Sequence, residues 1–152
     1  MTGHQVTGHH VYGHRVTGHD DDISALTINQ KNTLAVTGQM GKSPYLIVWD
    51  LVHKKQLGKL GEGFFARTIC CLTFSPCGNY IAAIGADDRH MMGIFNLKTG
   101  LLEAEIGVQN GHPPAINNIV WLSNSMETTM DTKMGGKQDG LLMQEIVTIG
   151  NS

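Results

Sequence analysis

Cysteine, proline and aromatic residues are scarce in this 152-residue sequence, no sign of charge is in surplus, and each shortage excludes something. Three cysteines is an odd count, and Cys70 and Cys71 are adjacent, so a regular strand points them to opposite faces and no disulfide framework follows. A reducing, cytoplasmic setting is the simplest inference. No apolar run approaches the roughly 20 residues that cross a bilayer, and a start rich in His and Gly is not a signal peptide, so no membrane is expected. With 11 Lys and Arg against 13 Asp and Glu, the formal charge is -2, and no basic surface for nucleic acid or anionic lipid stands out. The contexts of common catalytic motifs (G-x-S-x-G, HExxH, the P-loop, G-x-G-x-x-G) are missing too, so an enzyme is not expected. Asp20-Asp21-Asp22 and Asp87-Asp88 are paired carboxylates, but next to apolar runs they read as solvated turn charges. No catalytic residue, cofactor or metal site is assigned.

What is present is glycine, at 19 positions against 4 prolines, and a series of short apolar runs rich in Val, Ile, Leu and Thr. The runs are too brief for average helices and lie between Gly, Pro, Asn and Lys clusters, which predicts strands. Those strands are Ile23 to Ile28, Leu34 to Gly38, Tyr45 to Asp50, Gln56 to Leu60, Thr68 to Phe74, Tyr80 to Gly85, Met92 to Asn96 and Leu101 to Ile106. Ile116 to Leu122 and Gln144 to Gly150 follow on either side of a polar stretch. Glu103 and Glu105 alternate with apolar neighbours, as on an outer strand facing water.

The unit that repeats runs from Gly18 to Asp50. Three short strands that open in Gly-His and close in Trp-Asp about thirty residues later are the mark of one WD40 propeller blade. The expected fold is therefore all-β: WD40-type propeller blades, two complete and a third partial, forming an open series and not a closed ring. The expected divisions are a Gly/His pentad tract over 1–17, disordered in part or serving as an outer strand, a blade over 18–63, a second over 64–110, and a partial blade over 111–152 with a loop insertion at 123–140. In the family pattern a histidine before the first strand, a Ser or Thr in the second, a turn aspartate and the Trp of the third form a hydrogen-bonded chain. His19, Thr37 and Trp49 fit three of those roles, Asp50 closes the motif, and His112 opens the third unit. Gly41-Lys42-Ser43-Pro44 stands where the turn aspartate would be, so the chain is expected to lack that member. These residues are expected to hold the blade and touch no ligand.

A narrower resemblance rests on Tyr12-Gly13-His14-Arg15-Val16-Thr17-Gly18-His19 with its acidic continuation, on Ala35-Val36-Thr37-Gly38-Gln39-Met40-Gly41-Lys42, and on Val48-Trp49-Asp50. Gly61 to Arg67 and Ile146 to Ser152 extend it. Together they resemble the propeller region of the echinoderm microtubule-associated protein-like family, over residues 12 to 122 and 144 to 152. The resemblance implies tandem propellers in a cytoplasmic, cytoskeleton-associated protein that binds microtubules or tubulin, with further blades supplied by a longer parent chain. It also implies that tubulin contact depends on a segment ahead of the blades, so weak co-sedimentation of this chain alone is expected.

The function expected is a non-catalytic protein-protein interaction scaffold. The alternatives are a WD40 adaptor unrelated to microtubules, and metal binding by His4, His9 and His14. Those histidines recur with a period of five, which throws them to alternate faces of an extended chain, so they form no fixed ligand set.

Overall fold

The computed structural model describes residues 18–107, 116–123 and 144–150. Its first sheet is an antiparallel meander of β1 (Ile23–Ile28), β2 (Leu34–Gln39), β3 (Leu46–Asp50) and β4 (Lys55–Leu60). A second four-stranded meander follows: β5 (Ile69–Phe74), β6 (Tyr80–Gly85), β7 (Met91–Asn96) and β8 (Leu102–Gly107). Strands β9 (Ile116–Ser123) and β10 (Gln144–Gly150) pair antiparallel as a third sheet. There is no helix among the described residues, and the sheets form an open series. The pentads over 1–17, residues 124–140 of the expected insertion, and His112 lie outside the described residues, while Ser123 ends β9.

The first two sheets repeat down to their irregularities. Pairing of Leu34 with Asp50 and Thr37 with Ile47 in the first corresponds to Tyr80 with Asn96 and Ala83 with Gly93 in the second. Each first strand carries a bulge, at Ser24 and at Cys70, and each third strand shifts register beside its aromatic residue, Trp49 or Phe95. The turns repeat too. Asn29 and Ser75 open the β1–β2 and β5–β6 turns with side-chain oxygens that accept backbone N–H groups, from Thr33 and Leu34 in one case and Tyr80 in the other. Asn32 (φ 57) and Gly78 (φ 77) take the left-handed conformation that each turn requires.

The bulge at Cys70 overturns the expectation that the adjacent cysteines point apart. An extra residue breaks the two-residue alternation, so both thiols turn toward the same apolar cluster. Cys70 Sγ donates to the Ile84 carbonyl, as Ser24 Oγ at the equivalent bulge donates to Gly38, and Cys71 Sγ donates to Ile116 of the third sheet.

The inner strands β2 and β6 are buried on both faces, and the strand alternation decides which apolar cluster each side chain joins. Val36, Leu46 and Val48 of the first sheet pack against Ile81, Ala83 and Phe95 of the second, with Phe65 and Ile69 between them. Phe65, Ile81 and Ile69 are essentially inaccessible, and each such side chain contributes about 1.5–3 kcal/mol relative to exposure. The other face of the second sheet, with Ala82, Ile84 and Ile94, packs on Ile116, Ile119 and Trp121 of β9.

Candidate functional site

Thr37, on the second strand of the first sheet, is the junction of a polar chain. Its Oγ1 lies 2.6 Å from His19 Nε2 and 2.7 Å from Trp49 Nε1. The other imidazole nitrogen, Nδ1, is 2.7 Å from Gln39 Oε1, which also accepts the Asp20 backbone N–H at 3.3 Å. Counting donors orders the chain. The indole N–H and the Asp20 amide can only donate, so Gln39 presents its oxygen, and His19 donates to it through Nδ1. His19 Nε2 is then the acceptor for the Thr37 hydroxyl, which in turn accepts from Trp49. Thr37 and Gln39 are buried, while His19 and Trp49 are half-buried.

Gln39 stands in for the turn aspartate that the sequence lacks. It is two residues beyond Thr37, on the same face of β2, and that spacing was the available signal. Tyr45, which the sequence reading did not single out, completes the surround. Its ring stacks on His19 at a centroid distance of 5.7 Å, and Lys59 Nζ sits 4.1 Å from the ring centre. Its hydroxyl faces two acceptors, Gly18 O and Asp20 Oδ2. Burial, together with the bond to Asp20, pushes the phenol above the usual tyrosine range.

Asp50 lies apart from this chain. Its Oδ1 accepts the Val52 and His53 N–H groups and its Oδ2 meets His53 Nδ1 at 2.7 Å, closing the β3–β4 turn. The His53 backbone bond and then its imidazole hold the Asp50 carboxyl below the usual carboxylate range. Asn96 closes the equivalent β7–β8 turn with bonds from Lys98 and Thr99.

The second sheet replaces the polar chain with aromatic packing. Phe65, Ala83, Gly85 and Phe95 occupy the places of His19, Thr37, Gln39 and Trp49. Phe64 meets Phe65 and Phe95 edge-on at 4.7 and 5.7 Å. A Cβ at Gly93 would fall 2.8 Å from both Phe64 and Phe95, so that position has no room for a side chain.

The repeat of register, bulges and turns in two sheets, each closing on an aromatic residue and an Asx turn, is matched by a family model. WD domain, G-beta repeat, covers residues 2–50 and 56–92. The chain belongs to the WD40 repeat family. The match takes in the first two Gly/His pentads, over 2–11, which the narrower resemblance omitted. Among curated proteins, this WD40 chain is 35% identical over 87 residues to human echinoderm microtubule-associated protein-like 2, covering 51% of this chain and 13% of that protein. It is 31% identical to the 77 kDa echinoderm microtubule-associated protein of Strongylocentrotus purpuratus, over 52% of this chain and 13% of that one. The ciliary WD repeat-containing protein ctxp80 of Euplotoides octocarinatus is 30% identical over 66% of this chain and 14% of its own length. The chain thus spans about one seventh of the length of these relatives. The crystal structure of the β-propeller domain of Cps50 (Swd1) from Myceliophteria thermophila superposes with a TM-score of 0.54 at 18% identity, over 66% of this chain and 29% of that one. The fold is that of WD40 propeller blades, a scaffold for protein interactions, and no enzymatic family is indicated.

Proposed function

We propose that this chain is a non-catalytic interaction scaffold of the cytoplasmic cytoskeleton, associated with microtubules through tubulin or through proteins on the microtubule lattice. The observation that carries this reading is the alignment of its blades, at 30–35% identity, with proteins named for microtubules or cilia. The side-chain chemistry is in keeping with it. His19, Thr37 and Trp49 spend their polar atoms on one another and on Gln39, and Asp50 spends its carboxylate on a turn, which supports reading them as structural members of the blade. In this reading the units run over 18–63, 64–110 and 111–152 after a tract over 1–17, and His112 opens the third. A rigid set of sheets presenting many turns builds binding surface without a reactive group.

Co-sedimentation with purified microtubules tests the proposal. Weak, saturable pelleting above that of an unrelated WD40 propeller of similar net charge is expected. Pelleting equal to that control would contradict a microtubule role and leave a general WD40 adaptor.

A further inference from the structure

The turns divide by charge. In each four-stranded meander the β1–β2, β3–β4, β5–β6 and β7–β8 turns leave one end of the strands, and the remaining connections leave the other. The first end carries Lys31, Lys54, Lys55 and Lys98. Its carboxylates are already engaged: Asp50 by its turn and His53, and Glu103 by Asn96 Nδ2 at 2.9 Å. The opposite end carries Asp20, Asp21, Asp22, Glu62, Asp87 and Asp88, against Lys42, Lys59, Arg67 and Arg89. Among the described residues, therefore, one end is basic and the other acidic.

The basic end also has shape. The β1–β2 and β5–β6 turns of neighbouring sheets flank an open cleft of about 240 Å³ whose rim includes the exposed Gln30, Lys31 and Asn79. Apolar side chains stand among the lysines at the same end: Ile28, Val52 and Leu101 are 48%, 62% and 64% exposed. We propose that this end is a docking surface for an extended acidic peptide segment of a protein partner, one whose carboxylates alternate with apolar side chains. The inference rests on the scaffold reading and names the chemistry of what is held.

Two considerations favour a peptide over other polyanions. The cations are lysines mixed with amides and apolar groups, which suits carboxylates interspersed with apolar side chains. In addition, no Phe, Tyr or Trp side chain among the described residues is exposed at this end to stack a nucleic-acid base. The dimensions fit as well. Four strands about 4.8 Å apart span about 14 Å and the two sheets lie about 10 Å apart, so about six residues of an extended peptide, ~20 Å long, cross the face. Opposite potentials on the two ends also fix which end an acidic segment approaches.

The test uses the full chain and a labelled peptide of about ten residues alternating glutamate and leucine, with a counterpart carrying glutamine for glutamate. Fluorescence anisotropy is expected to show the acidic peptide binding about tenfold tighter than the glutamine peptide at low salt. Lys31→Glu, Lys55→Glu and Lys98→Glu together should reduce that affinity about tenfold or more, while Lys42→Glu, Arg67→Glu and Arg89→Glu, an equal charge change at the opposite end, should leave it within about twofold. All six positions are exposed, and circular dichroism confirms that each variant folds. Equal losses in the two variants, or no preference for glutamate, would overturn the proposal. So would tighter binding of phosphatidylserine vesicles or an oligonucleotide with the same dependence on the three lysines. If peptide binding fails on these terms while microtubule pelleting persists, the docking surface is refuted and the scaffold reading stands; loss of both refutes the two together.

Discussion

Thr37 shows how one hydroxyl can hold three strands' worth of side chains in register. It accepts from Trp49 on β3 and donates to His19 ahead of β1, so its removal strands two partners at once. Thr37→Val keeps the volume and removes the oxygen, and is expected to cost about 1–3 kcal/mol, whereas Thr37→Ser, which retains the hydroxyl, should cost under about 1 kcal/mol. Chemical denaturation of the two variants checks this, and equal costs would mean that the methyl group and not the hydrogen bonds matters. Two other residues make stability depend on pH. The depressed carboxyl of Asp50 contributes stability that is present above about pH 4, the unfolded carboxylate value, and is lost as pH falls through its lower folded value. Asp50→Asn, which keeps the turn as Asn96 does, should flatten the acid limb of a melting-temperature profile. The raised phenol of Tyr45 contributes stability that is complete below about pH 10 and declines above it, a decline that Tyr45→Phe should remove. The thiols divide as well: Cys77 is exposed, Cys71 is buried, and the neighbouring Cys71 thiol together with burial pushes Cys70 upward, so native alkylation should modify Cys77 first. Mass spectrometry of the labelled chain reads this directly.

At the scale of the element, equivalent strands reach the same backbone by different chemistry. The face of the first sheet with Thr37 and Trp49 has no further sheet against it among the described residues, and its chain is polar. The equivalent face of the second sheet lies against the first and is filled by Phe65 and Phe95. Phe95→Ala, at a position 2% exposed, should therefore cost about 3–5 kcal/mol, more than Trp49→Ala at its half-buried site. Gly93→Ala should cost about 1–3 kcal/mol by displacing Phe64 and Phe95. Urea midpoints that rank Trp49→Ala as the worse variant would contradict this division. The strands themselves were legible in sequence because most of the short apolar runs are closed by Asn, Gly or Pro, and the runs at Ile23–Ile28 and Tyr80–Gly85 coincide with β1 and β6 residue for residue. The bulges were not legible. Nothing in Thr68-Ile69-Cys70-Cys71 announces the extra residue, since a bulge is fixed by the register of the strand opposite. Gln39 was half legible: its spacing from Thr37 put it on the right face, but only the fold brings it to His19.

For the molecule as a whole, the proposed function lies on surfaces, and among the described residues those surfaces differ in charge by end. In the proposed reading the Gly-His to Trp-Asp motif holds the blade, so the partner has to be read from turns, where sequence shows composition and only the fold shows which turns share an end. The central claim is that these blades act by docking proteins at the cytoskeleton, and proximity labelling tests it most directly. The chain, fused to a biotin-labelling enzyme and expressed in cells with an intact microtubule array, should enrich tubulin or microtubule-bound proteins over an unrelated WD40 fusion. The Lys31→Glu, Lys55→Glu, Lys98→Glu variant should lose part of that set. A labelled set indistinguishable from the unrelated fusion would contradict the account.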